Sequence, residues 1–233
     1  IRFDKRNQYF MKIEELTRLA LEKCGGRFMV GYTDLHPGMD CVAAWIDPQE
    51  LCIEMLINPG RVNQLIGLST LHFQEVFDYF DDILKSHNQL SVTWMGVPSF
   101  GKMHIPSSDF SAMISTELYL EFIHPITVEE VKTMTHNVYH VDGKGVARHI
   151  DHILDIKEIN AIQWVQGMGD DTPIMQWIPF VKKIQAAGKS LLLDIQLNEL
   201  EDFISAVNPK GIMLCIAADE KDQPDIIKRV EKW

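Results

Sequence analysis

Short, continuously apolar runs recur along this chain, each bounded by polar or glycine-containing turns and followed by helical spacing. Residues 27–33, 90–95, 109–114, 137–140, 160–165, 190–195 and 211–217 read as strands. They are apolar throughout rather than alternating, as expected of strands covered on both faces by helices. Helical spacing is clearest over 8–23, where Phe10, Ile13, Leu16, Leu19 and Ala20 share a face, and over 62–87, 174–187 and 224–232. A further helical region spans 40–56, one follows at 146–154, and Ser115 caps a helix beginning at Thr116-Glu117. Strands alternating with helices predict an α/β fold, as a barrel or an open doubly wound sheet.

Seven strands in 233 residues approach a (β/α)8 TIM barrel, which typically takes about 250. The chain opens on Ile1-Arg2-Phe3-Asp4 and runs directly into helical sequence, so a barrel lacking its first strand is expected, within one domain over 1–233. The open edge beside 27–33 would then need covering, by the N-terminal helix or by a second copy of the chain in a homodimer. No Gly-x-Gly-x-x-Gly loop follows any strand, which weakens a dinucleotide-binding sheet.

Candidate chemistry gathers at strand ends. Tyr139-His140-Val141-Asp142-Gly143-Lys144-Gly145 reads as a buried strand breaking into a glycine turn that feeds a helix. His140 and Asp142 lie two apart on that strand and so point the same way, toward the ligand crevice of a βα unit. They could act as base and carboxylate or as metal ligands, or they could be a hydrogen-bonded pair that ties down the loop. Asp34 and His36 end the 27–33 strand, Asp194 ends the 190–195 strand, and Gln163 and Gln166 bracket Trp164. Trp164 could floor a pocket for a planar ligand or belong to the core. Trp94, with Met95 and Met103, could form an apolar wall. Together Asp34, His36, Asp109, His140, Asp142, Gln163 and Asp194 are expected to line one cavity.

Composition narrows the class. Hydrophobic residues make up 46% of the chain, enough for a large core, and no apolar run approaches the roughly 20 residues of a membrane helix. With 22 Lys and Arg against 33 Asp and Glu, the net charge of −11 argues against nucleic acid as a partner. The four cysteines form no Cys-x-x-Cys pair, so neither a disulfide framework nor a thiolate zinc knuckle is signalled. A cytoplasmic enzyme acting on a small molecule is the expectation.

Several stretches in order, namely Phe28-Met29-Val30-Gly31-Tyr32-Thr33-Asp34-Leu35-His36, Ser115-Thr116-Glu117-Leu118-Tyr119-Leu120-Glu121-Phe122 with Pro125, Tyr139-His140-Val141-Asp142-Gly143 and Ala161-Ile162-Gln163-Trp164-Val165-Gln166-Gly167, resemble the uroporphyrinogen decarboxylase superfamily. The superfamily also holds cobalamin-dependent methyltransferases that act with corrinoid proteins. The resemblance implies a (β/α)8 barrel of the uroporphyrinogen decarboxylase type, with more chain before Ile1.

The methyltransferase branch binds zinc through a His-x-Cys that aligns with His140-Val141-Asp142, so the resemblance implies a zinc site in which Asp142 replaces the thiolate and His36 is the third ligand. In that reading His140, Asp142 and His36 hold the metal or polarise substrate, and Asp109 and Asp194 serve as base or orienting groups. Asp34, His36, Trp94, Gln163 and Trp164 contact substrate, and a corrinoid protein is the partner. A decarboxylase acting on a porphyrinogen is the alternative enzyme, although an Asp-rich pocket repels a polyanionic substrate. A non-catalytic binding barrel is the third reading.

Overall fold

A computed structural model of the chain describes residues 3–233. The chain divides into two compact units, residues up to Asn137 and residues from Val138 onward.

The first unit is mainly helical. Its helices are α1 (Gln8–Cys24), α2 (Met39–Ala43), α3 (Pro48–Ile57), α4 (Pro59–Thr70), α5 (Phe73–Ser86), α6 (Thr116–Phe122) and α7 (His124–Val131). Its strands are short: β1 (Ser91–Val92), β2 (Pro98–Ser99) and β3 (Met103–His104). The predicted N-terminal helix forms because Asn7 caps it, its side chain accepting from the Tyr9 and Phe10 amides, and Gly25 ends it in the left-handed region at φ 49°. Ser115 accepts from the Leu118 amide at the start of α6, as the sequence indicated.

Four expectations fail, wholly or in part, in this unit. Residues 27–33 join no ladder; the Val30 amide donates instead to the Gln89 side chain at 3.0 Å. Residues 109–114 contain a 3-10 turn over Asp109–Met113 rather than a strand. The single long helix expected over 62–87 is two helices, broken between Thr70 and Phe73. Of the expected 90–95 strand, only Ser91–Val92 pairs, antiparallel with Pro98–Ser99.

α1, the 30–32 segment and α5 share one core. Leu21, Cys24, Val30, Tyr32, Phe77, Phe80 and Leu84 are buried together, with Phe10 and Ile13 packed against them. The N-terminal helix therefore packs with Val30 and Tyr32, but the strand whose open edge it was expected to cover does not form, and Phe28 and Met29 stay exposed. The Tyr32 hydroxyl donates to the Met103 carbonyl, and burial raises its pKa well above the ordinary phenol range.

β4 (His136–Asp142) continues into the second unit, where α8 (Gly143–Ala147), α9 (Ile150–Leu154), β5 (Ala161–Val165), α10 (Ile178–Ala186), β6 (Ser190–Asp194), α11 (Leu200–Ala206), β7 (Ile212–Cys215) and α12 (Gln223–Val230) follow. β3 to β7 form a five-stranded parallel sheet in chain order. The fold is α/β with helices between parallel strands, and the described strands compose this sheet and one two-stranded ribbon rather than eight barrel staves. Val138, Tyr139, Val141, Ile162, Leu191 and Leu193 are all buried, which explains their unbroken apolar runs. No helix among the described residues is long and apolar enough to cross a membrane.

Candidate functional site

The second unit presents its polar groups at the carboxyl ends of β4, β5 and β6. The β4–β5 register sets His140 opposite Gln163 and Asp142 opposite Val165. His140 Nδ1 lies 2.6 Å from Gln163 Oε1. An amide oxygen can only accept, so the ring proton resides on Nδ1 and Nε2 carries the lone pair. This is the tautomer a metal-ligating or basic imidazole needs. Asp142 is exposed at the strand terminus, and Gly143 follows at φ 69°, a conformation open to glycine at little cost.

β-strand alternation sends Trp164 to the face opposite Gln163. There it is fully buried, with the Phe180 ring at 4.5 Å and the Trp177 ring at 5.0 Å. The pocket-floor role suggested for Trp164 is thereby corrected: it is core, because its apolar surface is worth more against Trp177 and Phe180 than at a strand end.

Asp194 ends β6 and faces a cavity of about 500 Å³ shared with Gln166, Thr172, Gln196 and Cys215. Burial, then the Asp194 charge, pushes the Cys215 thiol above its usual range. Sequence reading gave Gln166 no role beyond flanking Trp164. It is buried and its amide nitrogen donates to the Thr172 carbonyl at 2.8 Å and the Asp194 carbonyl at 3.0 Å. Lys144 pairs with Asp171 at 2.6 Å. The glycine break at Gly167-Met168-Gly169, which lets the chain turn back toward β6, was the available signal for both.

In the first unit, Asp34 and His36 come together with a residue the sequence did not single out. His36 Nε2 lies 2.5 Å from Asp34 Oδ2, and Ser107 Oγ lies 2.9 Å from His36 Nδ1. The Asp34 hydrogen bond raises the His36 pKa, against the effect of partial burial, and Asp40 and Asp109 add to the increase. Both ring nitrogens of His36 are thus engaged, so the metal role expected of it would require breaking one of these bonds.

Ser107 is held by its neighbours. Asp40, in the first turn of α2, accepts from the Asp109 amide at 2.9 Å, the Phe110 amide at 3.0 Å and the Ser108 hydroxyl at 3.3 Å. The Asp109 side chain is exposed at the start of that turn, and Trp94 is about half exposed. The sequence missed Asp40 and Ser107 because the contacts that define them join residues about seventy positions apart.

Comparison of the chain with protein-family models, with curated proteins and with solved structures found no match.

Proposed function

We propose that the chain is an enzyme of small-molecule chemistry acting at the carboxyl end of its parallel sheet, with methyl transfer of the corrinoid-dependent type as its reaction. The observation that carries this reading is the His140–Gln163 pair beside Asp142. One strand supplies an imidazole whose tautomer is fixed by a neighbouring strand, and a carboxylate two residues on. This donor set suits a divalent cation of the zinc type, with nitrogen and oxygen ligands. His36 is left out of the ligand set in this proposal, because its ring nitrogens already serve Asp34 and Ser107.

Bound zinc would act as a Lewis acid on a thiol acceptor. In this reading Gln163 keeps His140 oriented, and Asp142 lowers the net charge of the ligand set. Asp194 and Gln166 border the neighbouring cavity, where a substrate's polar groups would lodge. The scaffold of this reading is a (β/α)8 barrel of the uroporphyrinogen decarboxylase type, and a corrinoid protein is its partner.

The test is elemental analysis of protein purified without chelator, beside the same protein carrying His140→Ala, Asp142→Ala or His36→Ala. Stoichiometric zinc that is lost in the first two variants and kept in the third supports the assignment. Trace zinc unaffected by His140→Ala sinks it. The reaction is then read by demethylation of methylcobalamin in the presence of a small thiol.

A further inference from the structure

We propose that Asp34, His36 and Ser107 form a second reactive centre, a serine nucleophile with its base and orienting carboxylate, suited to esters of compact apolar acyl groups. It shares no residue with the His140, Asp142 and Gln163 group on which the methyl-transfer proposal rests.

The geometry is that of a nucleophile, a base and an orienting group in series. Asp34 Oδ2 lies 2.5 Å from His36 Nε2, and His36 Nδ1 lies 2.9 Å from Ser107 Oγ. A carboxylate only accepts, so the ring proton sits on Nε2 and Nδ1 is left to accept the Ser107 hydroxyl proton. Asp34 makes the ring more basic than a solvated imidazole. This is the function an orienting carboxylate performs for a general base, with the two ring nitrogens in exchanged roles. Such a constellation is recognised by geometry and not by position in the chain.

The supports are rigid. Asp34 and His36 are two apart in a segment whose Tyr32 and Val30 are buried in the helical core. Ser107 follows β3 and precedes the 3-10 turn that Asp40 holds by two backbone amides and a hydroxyl. A site held by such a surrounding shell keeps the short distances that proton transfer needs.

His36, though not Ser107, also forms part of the wall of a cavity of about 410 Å³, where Leu35, Pro37, Trp45, Leu68 and Phe73 supply apolar surface and Asp4, Asn7 and His72 polar groups. That volume and its largely apolar wall suit a short acyl or aryl group. In the step proposed, Ser107 Oγ bonds to the ester carbonyl carbon while its proton passes to His36 Nδ1. The carbon–oxygen bond to the alcohol then breaks, and His36 returns the proton to the departing oxygen. Water repeats the sequence on the acyl-serine, releasing the acid and restoring Ser107.

The test uses the full chain with a fluorophosphonate probe, which bonds its phosphorus to an activated serine with loss of fluoride. Peptide mass spectrometry should place the adduct on Ser107, and p-nitrophenyl butyrate should be hydrolysed. Ser107→Ala should lower that hydrolysis by on the order of a thousandfold, and His36→Gln should abolish labelling with the far-UV dichroism unchanged. Asp34→Asn, which keeps the shape of the side chain, should slow labelling. Chelator should leave labelling unaltered. Unmodified Ser107 in the wild-type protein after prolonged exposure overturns the proposal whatever the variants do. Ester hydrolysis unchanged by Ser107→Ala overturns it equally, leaving the three residues as a tie between two loops.

Discussion

His140 and Gln163 face one another across the β4–β5 ladder, the ring Nδ1 2.6 Å from the amide Oε1. The amide fixes which nitrogen of His140 carries the proton, and the ring orientation follows. Gln163→Leu keeps the volume of the side chain and removes the acceptor. Under the zinc reading, the affinity of the purified protein for zinc should fall by about 10- to 100-fold, the effect usual for a lost orienting partner. Competition titration against a chelating dye measures this, and an unchanged constant would detach Gln163 from the site.

Asp40 caps a turn that lies far from it in the chain. Asp40→Ala leaves two amides and the Ser108 hydroxyl without their acceptor, so the folded state should lose about 0.5–2 kcal/mol. Urea midpoints of the two proteins give the comparison, and Asp40→Asn should retain part of the difference.

Trp164 belongs to the interior. Trp164→Ala removes a fully buried indole from contact with Trp177 and Phe180, and a cost of about 3–5 kcal/mol is expected. Were Trp164 a ligand platform, the same change would leave thermal unfolding nearly unaltered.

Gly31 lies against the β1 backbone. A Cβ added there would meet the Val92 carbonyl oxygen at 2.7 Å, closer than atoms can pack. Gly31→Ala should therefore force the 30–32 segment from its seat and cost about 1–3 kcal/mol, read as a lowered melting temperature.

His36 makes stability depend on pH in a defined direction. Its folded-state pKa is raised above the ordinary 6.5, first by the Asp34 hydrogen bond, with Asp40 and Asp109 contributing. A raised folded pKa means that the folded protein binds the proton more tightly than the unfolded chain. The stabilisation is complete below about 6.5 and is lost as pH rises through the folded value. Wild-type protein should exceed His36→Asn in stability by more at pH 5.5 than at pH 9. Equal differences at both would remove the Asp34–His36 pair as an energetic contact.

The second unit was largely legible in the sequence. Leu191-Leu192-Leu193 and Ile162 with its neighbours are apolar because helices cover both faces of a parallel sheet, so pattern and structure share one cause. His140 and Asp142 could be placed at a strand end because Gly143 marks the break. In the first unit, by contrast, local patterns were overruled by distant partners. Residues 109–114 carry the apolar residues of a strand, yet Asp40 reaches their amides and winds them into a turn. Val30 and its neighbours have strand propensity but find the Gln89 side chain rather than a ladder. Ser107 and His36 lie 71 positions apart, and no spacing rule links them.

The parallel sheet runs β3-β4-β5-β6-β7, the same order in which its strands leave the ribosome. Each ladder therefore closes against the strand made just before it, with only the one or two helices between them to loop out. A nascent chain can add staves one at a time without waiting for a distant segment, which lowers the entropic barrier that parallel pairing usually imposes. The cost falls on the last strand: until β7 docks on β6, the outer edge of β6 is a bare row of amides and carbonyls. Synthesis paused or truncated before Ile212 would release a chain whose exposed edge invites pairing with its neighbours on the same polysome.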